Sequence, residues 1–335
     1  MKTFKYFLVV LVFISTISKA QNSEAFYLQK SGFDKLEFKT NKDTITYLIS
    51  KSKSITSKPV VLFVQGSQPL PLIFYDDKSA NSIIPFSTKD YLEKFTFVII
   101  ARKGIPLIGT YDRDAKGYVN DKGEIPEDYT KNNNLNYRVN QVNTVLDQLA
   151  KNNNFKKDSI FVIGHSEGYR VVSKVAEKSN KIAKLVCMSA DPFNRITESI
   201  LRERIKSISS SNENLAQLEI NKLIDTYKRI PLNKIEFKSN VGFKNWLSYN
   251  ENLSYESLRK FKKPILIVYG TADIGSLHND LLPFLLPENN LTLKAYPNYG
   301  HNFEKKEHKS NGESIQDSYH WDDVFQDVIK WLMSN

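Results

Sequence analysis

The chain has 335 residues, 47 Lys and Arg against 37 Asp and Glu, a net charge of +10, 41% hydrophobic residues and one cysteine. That composition excludes a disordered chain and a disulfide-built scaffold. The basic residues are interleaved with acids and form no stripe alternating with aromatics, so no nucleic-acid partner is implied.

Lys2 and Lys5 precede the apolar run Phe7–Ile17, which is followed by Ser18-Lys19-Ala20. A basic start, a short apolar run and a small-x-small site predict a signal peptide over residues 1–20, cut after Ala20. The expected mature protein is a single domain over residues 21–335, exported to the periplasm or secreted. The apolar run falls short of the roughly 20 residues a membrane span needs, so no stable membrane insertion is expected. No cysteine follows it to carry a lipid, and removing residues 1–20 removes three lysines and no acids, lowering the charge to +7. Cys187, in an apolar run, reads as a small core residue.

In chain order, Leu36–Lys39 and Thr44–Ile49 read as an opening antiparallel pair. Pro59–Val64 and Phe95–Ile100 are continuous apolar, β-branched runs typical of strands buried on both faces. Asn134–Ala150 places Leu135, Val139, Val142, Leu146 and Leu149 on one helical face, between two asparagine triplets that read as loops. Ser159–Ile163 is a third buried strand, and Val172, Val175 and Ala176 then recur at helical spacing. Ile182–Ser189, Pro264–Tyr269 and Leu291–Tyr296 are further strands, and a last helix carries Trp321, Phe325, Val328 and Leu332. Continuous strands alternating with helices predict an α/β fold with a mostly parallel central sheet covered by helices on both faces. Residues 192–262 interrupt the alternation and read as an insertion of two or three amphipathic helices, including Ile196–Ile208 and Leu215–Tyr227.

The stretch Val162-Ile163-Gly164-His165-Ser166-Glu167-Gly168 joins the third buried strand to a helix. A very tight strand-to-helix turn crowds the positions two before and two after its central residue, which favours glycine at both. Such a turn would lift the Ser166 hydroxyl clear of the sheet and aim the Glu167 amide beside it. The competing reading is an ordinary turn with Ser166 as a helix N-cap.

A serine hydroxyl becomes a good nucleophile only when a base takes its proton and a carboxylate orients the base. Asp273 follows the Pro264–Tyr269 strand and His301 follows Leu291–Tyr296, both at the strand ends where Ser166 sits. Asp191, after Ile182–Ser189, is the second candidate acid, or else a cap for the first inserted helix. His165 adjoins the serine and is expected to point elsewhere. His278 follows Asp273 too closely to face it, and His308 and His320 lie in a charged loop and at a helix start. For the developing oxyanion, the donors expected are the Glu167 backbone N–H and an N–H from the loop after Pro59–Val64. Gly66 lets that loop turn, making Ser67 the candidate and Gln68 the alternative.

On these residues the chain resembles the α/β-hydrolase-fold serine hydrolases, among them exported bacterial esterases and dienelactone-hydrolase-like and prolyl-oligopeptidase-like members. The resemblance implies Ser166 as nucleophile, His301 as base and Asp273 as acid, and it assigns residues 192–262 to the place where such proteins insert a lid. The chain departs from many relatives in having Gln65-Gly66 where they carry His-Gly, and Tyr169 where they carry a small residue.

The expected activity is cleavage of a carboxylic ester or thioester, with a small acyl compound as substrate and an acyl-enzyme on Ser166. Amide or peptide cleavage is the alternative, and a binding protein on an inactive hydrolase scaffold is a further one. No cofactor is implied. The histidines are scattered, and no H-E-x-x-H or clustered acids suggest a metal. In the insertion, Phe243, Trp246 and Tyr249 are read either as core of the inserted helices or as lining of the acyl pocket.

Overall fold

The computed structural model describes residues 24–41, 43–51, 57–110, 117–152, 155–210, 213–232, 241–286, 290–305 and 318–334. Residues 1–20, expected to be a signal peptide, His308 and the side chain of Phe243 lie outside the described residues.

The strands in chain order are β1 (Phe33–Lys39), β2 (Thr44–Ser50), β3 (Lys58–Val64), β4 (Ile73–Tyr75), β5 (Ala80–Ser82), β6 (Thr96–Ile100) and β7 (Ile108–Thr110). They continue with β8 (Phe155–His165), β9 (Ile182–Met188), β10 (Ile265–Gly270), β11 (Leu291–Tyr296), β12 (Glu304–Lys305) and β13 (Ser318–Tyr319). Eight of them form one sheet in the order β1-β2-β6-β3-β8-β9-β10-β11. The opening pair is antiparallel and β2 meets β6 antiparallel. From β6 to β11 every pairing is parallel. The expected mixed helix-and-strand architecture is the observed one. The small sheet β5-β4-β7 had no counterpart in the sequence reading; its strands are three residues each, too short to show a period.

The apolar runs are continuous because both faces of the sheet are covered. In β3, Val60, Leu62 and Val64 join the core cluster under the helices Leu135–Lys151 and Glu167–Ala176. Val61 and Phe63 point to the other cluster, with Phe325 and Val328 of the helix Trp321–Met333. The helix at Leu135 begins where the Asn134 side chain accepts the Tyr137 N–H, a sound N-cap. Cys187 is buried in the first of these clusters, and burial pushes its thiol up to about 12, leaving it inert at neutral pH.

Between β9 and β10 the described residues hold four helices, Arg195–Ser210, Glu213–Leu232, Val241–Asn250 and Ser254–Lys260. The first starts at Asn194, whose side chain accepts the Thr197 N–H. Asp191 is therefore not its cap; its Oδ1 accepts the Phe193 N–H in the turn before it.

Strand order reverses about β3: the chain steps from β3 to β6 on one side, then crosses to β8 on the other. In open α/β sheets the crevice at such a reversal, at the carboxyl ends of the strands, is where ligands bind. The β3 loop and the β8 turn flank that crevice.

Candidate functional site

The turn after β8 is as tight as the glycines require. Ser166 has φ 57° and ψ −120°, a strained conformation for a residue with a side chain. Its N–H donates to the Met188 carbonyl at 2.9 Å, and its side chain makes no capping bond to the helix that follows. The N-cap reading of Ser166 is thus not what the structure has. A Cβ on Gly164 would lie 2.4 Å from the Gly168 carbonyl oxygen, and one on Gly168 would lie 2.0 Å from the Val64 carbonyl oxygen. Both positions exclude any side chain because backbone passes through the space.

The chain brings His301 and Asp273 to this serine. His301 Nε2 lies 3.0 Å from Ser166 Oγ, and His301 Nδ1 lies 2.8 Å from Asp273 Oδ2. An ionised carboxylate can only accept, so the proton sits on Nδ1 and the Nε2 lone pair faces the serine hydroxyl. Asp273 is buried and also accepts from the Gly275 N–H, the Ser276 hydroxyl and Arg202 Nη2. Burial pushes its carboxyl up, but the bonds and charge of His301, with Ser276 and Arg202, outweigh that and lower it to about 2. Asp273 is therefore ionised throughout the physiological range.

The β3 loop runs close alongside. A Cβ on Gly66 would lie 3.2 Å from Ser166 Cβ. Ser67 and Glu167 line the same cavity as Ser166. The Tyr129 hydroxyl donates to the Ser67 carbonyl. The Glu167 N–H, first in its helix, has no intrahelical acceptor by position.

The side chain of Glu167 plays a part the sequence reading did not assign. It is buried beside Arg102, whose Nη1 and Nη2 each donate to Oε1 at 3.2 Å, and Arg195 Nη2 donates to Oε2. Burial alone would push the carboxyl up; Arg102, Arg195 and Arg138 reverse this and hold it below its ordinary value. Arg102 also donates to the Gly66 carbonyl and, at 2.7 Å, to Asn133. It stands just after β6, so no local pattern connects it with a turn after β8.

The other histidines separate cleanly. The His165 Nε2 lies 3.1 Å from the His301 carbonyl oxygen, and its ring packs on Trp321 and near the His301 ring. His278 pairs with the buried Asp191 at 2.7 Å, so the second candidate acid faces a different histidine. His320 bonds Ser318 and Asp323 at the start of the last helix. Tyr169 is fully buried, and its hydroxyl donates to Asn279 at 3.0 Å.

The cavity over Ser166 has a volume of about 440 Å³ and includes Arg195 and Trp246 from the inserted helices. Tyr249 does not line it; it is buried beneath Arg195, whose guanidinium lies 4.3 Å from its ring centre. Among the described residues no group of three or more His, Cys, Asp and Glu is placed to hold a metal. Among the same residues no helix is long and apolar enough to cross a membrane.

No protein-family model and no curated protein sequence matches the chain. Solved structures do. Porphyromonas gingivalis dipeptidyl peptidase 4 matches with a TM-score of 0.52 at 13% identity, over 90% of this chain and 35% of that one. Pyrococcus horikoshii acylaminoacyl peptidase matches with a TM-score of 0.50 at 13% identity, over 83% of this chain and 39% of that one. 2,6-dihydroxy-pseudo-oxynicotine hydrolase matches with a TM-score of 0.48 at 15% identity, over 80% and 62%. This chain thus spans less than two thirds of each of those chains. At such identities the likeness is one of fold. The strand order and the likeness to the two peptidase structures define the α/β-hydrolase fold.

Proposed function

We propose that this chain is a serine hydrolase that cleaves a carboxylic ester or thioester through an acyl-enzyme on Ser166. The observation that carries the reading is the continuous relay from Ser166 Oγ to His301 at 3.0 Å and from His301 to Asp273 at 2.8 Å. In it, His301 Nε2 takes the hydroxyl proton as Oγ bonds to the acyl carbon. The carbonyl oxygen becomes an oxyanion, met by the backbone N–H groups of Glu167 and Ser67. Its collapse breaks the bond to the leaving alcohol or thiol, which leaves with the proton held by His301. Water then attacks the acyl carbon, His301 takes a proton from it, and Oγ leaves with that proton to restore the serine. Asp273 stays ionised, holds Nδ1–H and stabilises the imidazolium.

The helices between β9 and β10 act in this reading as a lid, since one of them brings Arg195 over the elbow. The leader over residues 1–20 places the reaction outside the cytoplasm; N-terminal sequencing of the secreted protein should begin at Gln21.

Incubation with a fluorophosphonate should modify Ser166 stoichiometrically, and a folded protein that stays unlabelled would defeat the proposal. Peptidase names among the fold neighbours keep amide cleavage as the second reading. Short p-nitrophenyl esters set against amino-acid p-nitroanilides decide between the two, ester turnover being expected and turnover of anilides alone overturning it.

A further inference from the structure

The wall of the cavity over Ser166 is cationic. Arg170, Arg195 and Arg202 line it, against the acids Glu167 and Glu198. Both acids are already ion-paired, in part with these same arginines. Glu167 accepts two bonds from the buried Arg102 and one from Arg195, with Arg138 adding its charge. Glu198 Oε2 accepts from Arg170 at 3.0 Å, and its Oε1 accepts from Arg202 Nε at 3.1 Å. Five guanidinium groups thus surround three carboxylates, counting Asp273, which accepts from Arg202 at 3.2 Å. A fourth carboxylate, Asp191, pairs with His278, and Arg170 donates to the Asp191 carbonyl oxygen at 2.9 Å.

Two of these guanidinium groups keep donors in reserve. Arg195 uses one Nη on Glu167 and lays its plane near Tyr249, and among the described residues its Nε and other Nη have no hydrogen-bond partner. Arg202 is about two-fifths exposed, at 43%, and its Nη1 likewise has none. Contact with the Tyr249 ring and the bond to Glu167 hold the Arg195 guanidinium in place, so little freedom is lost on binding. The Ser189 hydroxyl is buried, unpartnered and part of a residue with φ 51° that lines the same cavity. Apolar lining is confined to side chains such as Ala190 and Trp246, which is poor surface for a long hydrocarbon acyl chain.

Taking the serine-hydrolase reading as given, we infer that the substrate carries a carboxylate, held by the free donors of Arg195 and Arg202 while Ser166 attacks an ester or thioester elsewhere in the same molecule. A charged N–H donates a short, strong hydrogen bond to a carboxylate oxygen, and two arginines can take one oxygen each. A purely apolar acyl group would cover the unbonded N–H groups of Arg195 and Arg202 without offering them an acceptor.

The test compares matched esters on the mature protein at low salt. Mono-p-nitrophenyl glutarate carries the carboxylate on the acyl side, and its neutral counterpart is p-nitrophenyl valerate. The butyrate ester of 4-hydroxybenzoate carries it on the leaving side, with the butyrate ester of 4-hydroxybenzamide as control. One charged ester should exceed its neutral counterpart in kcat/KM by roughly tenfold or more. That ratio should shrink with added salt and fall by about tenfold in both Arg195→Gln and Arg202→Gln. Which pair shows the preference tells on which side the anion sits.

Glutarate should also slow fluorophosphonate labelling of Ser166, and glutaramide at equal ionic strength should not, which requires neither variant to fold nor any ester to turn over. Neutral esters turned over as well as charged ones, or equal protection by glutarate and glutaramide, would overturn the inference with the hydrolase intact. Absence of both turnover and labelling would instead defeat the hydrolase reading, and this inference with it.

Discussion

Arg102 holds Glu167 and Gly66 together. Its two Nη atoms lie 3.2 Å from one oxygen of the Glu167 carboxylate, and Nη2 also donates to the Gly66 carbonyl. One guanidinium from just after β6 thereby joins the residue after Ser166 to the loop after β3, the two segments proposed to bind the oxyanion. Both partners are buried, Arg102 to 3% and Glu167 to 4% exposure. Removing the acid leaves Arg102 and Arg138 as uncompensated buried charges, which costs far more than the pair contributes relative to an apolar substitute.

Glu167→Gln should therefore lower stability by about 3–5 kcal/mol although the backbone N–H at 167 is retained. Urea unfolding of the two proteins reads this directly. A variant within about 0.5 kcal/mol of the parent would show that the arginine cluster does not need its acid.

His165 invites a second experiment, on pH. Its Nε2 faces the His301 carbonyl oxygen, so that nitrogen carries the proton of a neutral ring. Burial, with the neighbouring His301 second, lowers its pKa from 6.5 to about 3. The unfolded chain takes up a proton below about pH 6.5 and the folded chain does not. The stability this group confers is complete above that pH and is lost as pH falls from 6.5 towards about 3. The slope approaches ~1.4 kcal/mol per pH unit. His165→Gln should flatten the loss between pH 6.5 and 4 in urea titrations. His165 is a positioning residue in the proposed mechanism, because it anchors the loop carrying His301; the variant should lower kcat more than it raises KM.

The relay predicts a steep response to its acid. Asp273→Asn keeps the shape but can no longer favour the Nδ1–H tautomer of His301, and kcat/KM on the preferred ester should fall by about 10⁴-fold. Since the Asp273 carboxyl lies near 2, its stabilising interactions are complete above its ordinary 3.8 and are lost as pH falls through about 2. Loss of activity between pH 7 and 5 consequently belongs to another group, and the rate of fluorophosphonate labelling against pH in the two proteins checks this.

The elbow glycines should tolerate nothing larger. The methyl group of Gly168→Ala would sit 2.0 Å from the Val64 carbonyl oxygen, and that of Gly164→Ala 2.4 Å from the Gly168 carbonyl oxygen. Both atoms belong to the backbone of the central sheet and its following helix, so the clash cannot be relieved by a rotamer change. Each variant should lose at least about 3 kcal/mol, or fail to accumulate as folded protein. A thermal melt within a few degrees of the parent would mean that the turn can open.

Much of this molecule is written in short-range pattern. Runs such as Pro59-Val60-Val61-Leu62-Phe63-Val64 specify a strand buried on both faces, because their alternate residues feed two separate cores. Gly164 and Gly168 announce the tight turn through sterics within five residues, and the positions of Asp273 and His301 just beyond strands place them at one sheet edge. The short strands β4, β5 and β7 were not legible, since three residues carry no period.

What only the tertiary structure decided are pairings between residues far apart in the chain: Arg102 with Glu167, His165 with the His301 carbonyl, Asp191 with His278, and Arg195 over the elbow. Periodicity encodes which face of an element is buried, because burial repeats along the element. It does not encode which charged side chain meets which, because that depends on loop paths and rotamers set by the whole packed sheet. The sequence by itself therefore determined a sheet, an elbow and a serine, acid and histidine near one edge. The packed chain decided the charge of the cavity above them.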